Sequence, residues 1–446
     1  MNRDLVFLAL PNRISSSDLL RTRYVEYLAS KYQVVVVTPF LDSGAAISRS
    51  YFSSPGLEYI KYGLESPKFW EFFKFLRICW VNEFDHLTSI RHWYQRPNYT
   101  HNWSRRFVRF LGRSFSKLLT ADFFTFVESK LLPTSEIFLG LVQKHKPILV
   151  ITATPGFDPW EAEIITLSRR AGIPTVAVDF SWDNLTMNSK HIRKTDYLIA
   201  WNSIMKREAE DIHHFPSDRV WVSGTPRFDL YFDDAGDDPG RDSFLKSKGL
   251  DPSYRTIFHT TVTKAYPFQK KYIRDLIKLR DEGRIPYVNL FVRIHPLDVY
   301  DNYREFLVCV ANLCIEPAGK LGESKAVEMT YQDLLNLKYS LKYTDLNINY
   351  ASTISIEACV FDKPIVNIGY LDHFKLAYEF NHYRPIFESG AVRLAKTDSD
   401  LPELIIMYLK DPSLDKDARQ KIVKEYVEFA DGLSYKRSVD CLTKII

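Results

Sequence analysis

The chain has 446 residues, too many for one hydrophobic core, so two domains of roughly 200 residues each are expected. Hydrophobic residues make up 46% and charged residues 26%, an ordinary balance for a globular protein, which argues against a disordered or fibrous chain. A net charge of +4, from 59 basic and 55 acidic residues, is too small to mark a nucleic-acid binder, and five cysteines without a CxxC or a His/Cys cluster at zinc spacing exclude a disulfide framework and a zinc site.

The chain opens with MNRDLVFLALPNR. Its apolar core, Leu5 to Leu10, stops at Pro11 and is too short for a secretory leader or a membrane span. It reads as the first buried strand of a parallel sheet. Further buried-strand candidates in the first half are QVVVVTP, PILVITA, PTVAVDF, DYLIAW and RVWVSG. The second half adds RTIFHTT, VNLFVRIHP, DLNIN, PIVNIGY and AVRLA. Helical patterns lie between them, which implies parallel βαβ units in two doubly wound, Rossmann-like α/β domains. The acidic, Gly- and Pro-bearing run FDDAGDDPGRD suits a linker. The expected division is residues 1–231, a linker at 232–250, a second domain at 251–415 and a C-terminal helical segment at 416–446. Unpaired cysteines suit reduced thiols and a cytoplasmic location.

A region at about 67–130 interrupts the alternation. No acidic residue occurs between Asp85 and Asp122. Arg91, Arg96, Arg105, Arg106, Arg109, Arg113 and Lys117 are interleaved there with Trp93, Tyr94, Tyr99, Trp103, Phe107, Phe110 and Phe115. Basic amphipathic helices with aromatic faces dock on anionic membranes. The same residues also suit an inserted helical subdomain with solvated arginines.

Polar residues cluster where strands end, which is where ligands bind in such sheets. After PTVAVDF comes SWDN, placing Trp182, Asp183, Asn184 and Thr186 in a loop at the sheet's carboxyl edge. Asp183 could act as a general base; an Asx-type helix cap is the alternative. Asp158 and Glu161, in TPGFDPWE after the neighbouring strand, are reserve candidates. Arg227, in SGTPRFD, could clamp a phosphate or pair with Asp229. Thr260 and Thr261 stand at the first turn of the second half. Arg293 and His295 in RIHP end a strand, and His295 could donate to a phosphate or serve the structure alone. In NINYASTISIEACVFDKPIVNIGY, Ser352 and Thr353 open a helix between two strands, as an anion site or as a plain cap. GxGxxG, Walker A, HExxH and GxSxG motifs do not occur.

Taken in order, FSWDNLT, DYLIAWN, RVWVSGTPRFD, RIHP, NYASTISIEACVFDKPIVNIGY and DGLSYKRSVDCL resemble bacterial GT-B glycosyltransferases related to CDP-glycerol glycerophosphotransferases and UDP-GlcNAc 2-epimerases. The resemblance runs from about residue 145 to the C-terminus. It implies two Rossmann-like domains facing a cleft, with a nucleotide donor on the second and the C-terminal helix at 416–446 packing back across the cleft. Ser352 and Thr353 would then contact the diphosphate, Glu357 the ribose, and His295 the donor phosphates. Where the glycerophosphotransferases carry Trp-His-Gly, with its His as base, this chain has Trp-Asp-Asn. It also lacks the epimerases' Glu-rich turn there.

The expectation is a metal-independent glycosyltransferase without a cofactor beyond its nucleotide-sugar co-substrate. It would act on a hydroxyl of a surface glycan or lipid-linked glycan, held on the first domain beside Trp182 and Asn184. It would sit in the cytoplasm, at the inner face of an anionic membrane, and bind no nucleic acid. Polyol-phosphate transfer, epimerase-like chemistry and a non-catalytic nucleotide- or glycan-binding module are the alternatives.

Overall fold

The computed structural model describes residues 3–40, 57–64, 68, 86–95, 102–115, 126, 135–188, 191, 193–233, 238–264, 268–306, 310–321, 327–370 and 376–446. Much of the stretch at 67–130, with Cys79 and Cys309, lies outside them. The chain forms two compact units: residues 1–227, 380–382 and 433–446 form one, and residues 228–379 and 383–432 the other.

In the first unit the strands are β1 (Leu5–Ala9), β2 (Gln33–Thr38), β3 (Leu57–Lys61), β4 (Leu149–Thr152), β5 (Thr175–Val178), β6 (Tyr197–Ala200) and β7 (Val220–Val222). They form a seven-stranded parallel sheet in the order β3-β2-β1-β4-β5-β6-β7. β4 and β5 are buried on both faces, which is why each reads as an unbroken apolar run. β3, with the sequence LEYIK, is a half-exposed edge strand and gave no such run. One core layer packs Leu8, Val36, Ile151 and Val178 with Val25 and Leu28 of the helix Arg23–Lys31. The last helix, Ser434–Leu442, adds Val439 and Leu442 to this layer, and Tyr27 donates to Asp440 Oδ1 at 3.0 Å.

The second unit holds β8 (Thr256–Thr260), β9 (Asn289–Ile294), β10 (Leu313–Pro317), β11 (Lys320–Leu321), β12 (Val327–Glu328), β13 (Leu346–Asn349), β14 (Ile365–Ile368) and β15 (Arg393–Ala395). Six of these make a parallel sheet in the order β10-β9-β8-β13-β14-β15, and β11 and β12 form an antiparallel pair.

The unit boundaries differ from those expected. Within the expected linker, Asp238 and the helix that follows it are docked in the second unit. Asp238 accepts from Lys342 Nζ at 2.5 Å and from the Tyr343 hydroxyl, and the helix Arg241–Ser247 buries Phe244 and Leu245. Residues 416–432 also stay with the second unit. Arg419 is fully buried there, donating to Asp362 Oδ1 at 2.8 Å and to the carbonyls of Leu414 and Pro412.

In each sheet the strand order reverses once, between β1 and β4 and between β8 and β13. Crevices for ligands open at the carboxyl ends beside such reversals. The described residues contain no helix long and apolar enough to cross a membrane.

Candidate active site

In the first unit, the loop after β4 is locked before any ligand arrives. Gly156, at φ 102°, lies so close to the loop carrying Arg193 that an added Cβ would stand 1.7 Å from its carbonyl oxygen. Asp158 accepts from the Trp160 N–H at 2.8 Å and caps the helix Pro159–Arg170. Glu161 is fully buried; it accepts from the Ala153 N–H (2.7 Å), the Thr154 N–H (3.0 Å) and the Thr154 hydroxyl (2.5 Å). Burial, with the nearby Asp158 charge, pushes its carboxyl well above the usual range. In the fold, of these two reserve candidates, one is a helix cap and the other an interior clamp on the loop.

The β5 loop is different. Asp183 precedes the short helix Asn184–Met187 but makes no capping bond with its side chain, so the Asx-cap alternative does not hold. Its Oδ1 accepts from the Ser181 hydroxyl, and the residue is half-buried. Trp182 is buried with its ring edge-on to His382, centroids 5.0 Å apart. Asn184 Nδ2 donates to Asp179 Oδ1 at 2.5 Å, so Asn184 braces the loop from within.

Three titratable groups emerge here that the sequence reading passed over. Asp179 is 2% exposed, and burial pushes its carboxyl up to about 8 against the hydrogen bonds from Asn184 and Ser181. Its Oδ2 is buried without a partner among the described residues. His382 sits at the same loop, with Nδ1 3.1 Å from the Thr186 hydroxyl; burial lowers its pKa while the nearby Asp183 opposes that shift. Glu208, on the helix Ser203–Asp211, is pushed up to about 8 by burial and then by Asp183. The apolar run of β5 hid Asp179 as a strand end, and His382 lies some 200 residues away in sequence, so local pattern could not place it.

In the second unit the carboxyl ends of β8, β9 and β13 collect five of the expected residues. Thr261 ties two strand ends together: its N–H donates to the Arg293 carbonyl at 3.1 Å, and its hydroxyl accepts from the His295 N–H at 2.9 Å. Thr260 is buried beside it at the end of β8. His295 Nδ1 accepts from the Leu297 N–H at 3.0 Å, which leaves Nε2 as the protonated nitrogen. Burial lowers the ring's pKa to about 4, so it can offer a neutral N–H donor at the sheet edge. Ser352 Oγ receives the Ile354 N–H at 3.4 Å, a weak cap; Thr353 is already in helical geometry at φ −53° and does not cap.

Three expected donor-site residues are committed elsewhere. Arg293 is buried and paired with Glu316 Oε1 at 3.0 Å. Glu357 is fully buried and accepts from the Tyr231 hydroxyl at 2.7 Å, so it does not present itself to a ribose. Arg227 belongs to the first unit and pairs with Asp18, Nε to Oδ1 3.9 Å. Ser355, next to the expected phosphate contacts, joins an interior network instead. Its hydroxyl bonds Asn349 Oδ1 (3.1 Å) and Tyr383 (2.7 Å), and Asn367 bridges both partners. Among the described residues no group of three His, Cys, Asp or Glu side chains is placed to hold a metal ion.

A family model for CDP-glycerol:poly(glycerophosphate) glycerophosphotransferase matches residues 170–444. The chain belongs to this family. The family is one of transferases, and the match takes in the β5 loop as well as the second unit. A comparison with curated proteins gives no match. Among solved structures, the UDP-GlcNAc 2-epimerase of Neisseria meningitidis bound to UDP-GlcNAc aligns over 99% of this chain and 100% of its own, at 12% identity and TM-score 0.56. The wall teichoic acid polymerase TagF with CDPG aligns over 99% and 89%, at 12% identity and TM-score 0.56. The epimerase of Methanocaldococcus jannaschii aligns over 99% of both chains, at 14% identity and TM-score 0.52. These likenesses show the fold, two Rossmann-like units of GT-B type, as the resemblance implied.

Proposed function

We propose that the protein transfers a nucleotide-activated group to a hydroxyl on a growing cell-surface polymer, and that the group is a polyol phosphate carried by a cytidine diphosphate. The family match supports the donor class. The observation that carries the chemistry is the β5 loop, where Asp183 is half-buried, uncommitted to capping, and backed by Asp179 and His382. Asp183 supplies the negative charge that favours removal of the acceptor's proton. Thr260, the neutral N–H of His295 and the turn at Ser352-Thr353 would meet the donor's phosphates in the second unit. The donor is a co-substrate, and the reading calls for no further cofactor. Glycosyl transfer from a nucleotide sugar is the second reading. It is favoured by the Trp-Asp-Asn sequence at a place where the glycerophosphotransferases carry Trp-His-Gly.

Membrane attachment belongs to the same proposal. The helix Trp103–Phe115 carries Trp103 (76% exposed), Phe107 and Phe110 (66%) on one side, with Arg106 and Arg109 flanking them and no acidic residue. Such a face suits the anionic inner surface of the cell membrane, where a lipid-linked acceptor would be presented.

Thermal-shift and turnover assays with CDP-glycerol, CDP-ribitol and UDP-GlcNAc test the reading. A donor at 100 times its Kd should stabilise the protein by about 2.7 kcal/mol. CMP release in the presence of acceptor would mark polyol-phosphate transfer, and UDP release would mark glycosyl transfer. Absence of a shift with all three, and of any product, would sink the transferase reading.

A further inference from the structure

The segment Phe380–His382 is remote in sequence from the β5 loop, yet it is part of the first unit. Asn381 Oδ1 accepts from both the N–H and the hydroxyl of Thr88, each at 2.8 Å. Phe380 packs its ring against His92, centroids 5.7 Å apart. These contacts deliver His382 between the Trp182 ring and the Thr186 hydroxyl.

Thr186 decides which ring nitrogen carries the proton. Its hydroxyl donates to the Asp183 carbonyl at 3.3 Å. A hydroxyl has one proton to give. The arrangement that makes both contacts hydrogen bonds therefore has it accept from His382, the 3.1 Å contact being a bond from Nδ1–H. Nε2 is left as the bare nitrogen. A histidine held by Nδ1–H, with a carboxylate nearby to stabilise its charged form, is arranged to take a proton at Nε2. Asp183 lies near enough to favour the charged ring.

We infer that His382 Nε2 is the atom that takes the proton of the attacking hydroxyl, and that Asp183 stabilises the imidazolium formed. This inference rests on the transferase reading above. In the step, the acceptor oxygen forms a bond to the donor phosphorus that carries the polyol. The phosphoanhydride bond breaks, and its electron pair leaves with the nucleoside monophosphate. The hydroxyl proton moves to Nε2, so the ring gains one positive charge beside the Asp183 carboxylate. Burial keeps the ring neutral beforehand. Among the described residues, the charged or titratable groups around this place are Asp183, whose charge acts on the ring, Asp179 on the same loop, Glu208 of the helix Ser203–Asp211, which feels Asp183, and His92 of the helix Thr88–Gln95, against Phe380. Asp179 and Glu208 each sit at about 8, so both hold their protons at neutral pH and leave Asp183 as the counter-charge.

The test uses the full chain, with single-turnover nucleotide release from CDP-glycerol measured for wild type, His382→Gln and His382→Ala. Both variants should lose about 10²–10⁴-fold in rate while donor affinity stays within twofold. Wild-type rate should rise with pH through a value below the ordinary histidine range, and His382→Gln should lack that limb. Added imidazole should restore His382→Ala in proportion to its free-base concentration, which a packing role would not allow. Folded variants at wild-type rate, or a loss that imidazole leaves unchanged, overturn the inference while the transferase reading stands. A wild type that releases nucleotide from no donor overturns that reading and this inference with it.

Discussion

Replacing Asp179 with Asn should flatten the pH dependence of the first unit's stability. Asp179 has an ordinary value of 3.8 and is pushed up to about 8 in the fold, burial being the main cause. Between those values the folded state holds a proton that the unfolded chain has released. Stability therefore falls as pH rises through that window, by up to about 1.4 kcal/mol per pH unit for one proton. Over the whole window the loss is of the order of several kcal/mol, comparable to a domain's total stability. Asn keeps Oδ1 to accept from Asn184 Nδ2 and the Ser181 N–H. Its amide nitrogen would take the place of the partnerless Oδ2, at a cost of about 1–3 kcal/mol that does not vary with pH. The slope, and not the offset, is thus the signal. All eight tryptophans precede residue 228, so their fluorescence reports on the first unit alone. Trp201 is especially apt, since its ring N–H donates to the Asp179 carbonyl at 2.7 Å. Urea titrations at pH 5, 6, 7 and 8 should show the variant losing roughly one proton's worth of slope. Glu208 leaves a remaining slope of the same sign, because it too is pushed up to about 8. Identical slopes for wild type and Asp179→Asn would refute the reasoning, because they would mean that Asp179 ionises as readily in the fold as in the unfolded chain.

The other predictions concern the loop, the donor side and the membrane face. Asp183→Asn should keep donor affinity and melting temperature, since no cap is lost, while single-turnover rate falls by about 10²–10⁴-fold; full activity would remove Asp183 from the chemistry. Ser352→Ala and Ser355→Ala should separate two serines three residues apart. The first gives up only a 3.4 Å contact in the fold, so it should leave stability almost unchanged and weaken nucleotide binding by about 1 kcal/mol, read by calorimetry. The second breaks the network to Asn349 and Tyr383, so it should destabilise the second unit by about 1–3 kcal/mol, read by hydrogen exchange. The reverse pattern would exchange their roles. Charge reversal at Arg105, Arg106 and Arg109 should release the protein from anionic vesicles, and so should salt; a wild type that ignores such vesicles at low salt would leave the helix Trp103–Phe115 without a membrane role.

The sequence alone determined the sheet architecture. Strands buried on both faces, such as those carrying VVVV and LVI, hold continuous apolar runs, and that signal survives without any neighbour's help. Edge strands such as LEYIK carry it only weakly, because one side faces water. The sequence also placed Asp183, Thr260, Thr261, His295 and Ser352 at strand ends, since a strand's end is a local property. What each polar side chain does there was decided only by the tertiary structure. Arg293 and Glu357 occupy the expected stretches, yet Glu316 and Tyr231 claim them, and those partners come from other elements. Glu161 reads like a candidate base until the fold closes the Ala153-Thr154 backbone around it. His382 gives no local sign of its place, because a return of the chain sets it against Trp182 and Thr186. Spacing along the chain fixes which face or end a residue occupies, but the role of a buried polar group depends on the partners and the dielectric around it, and long-range packing supplies both.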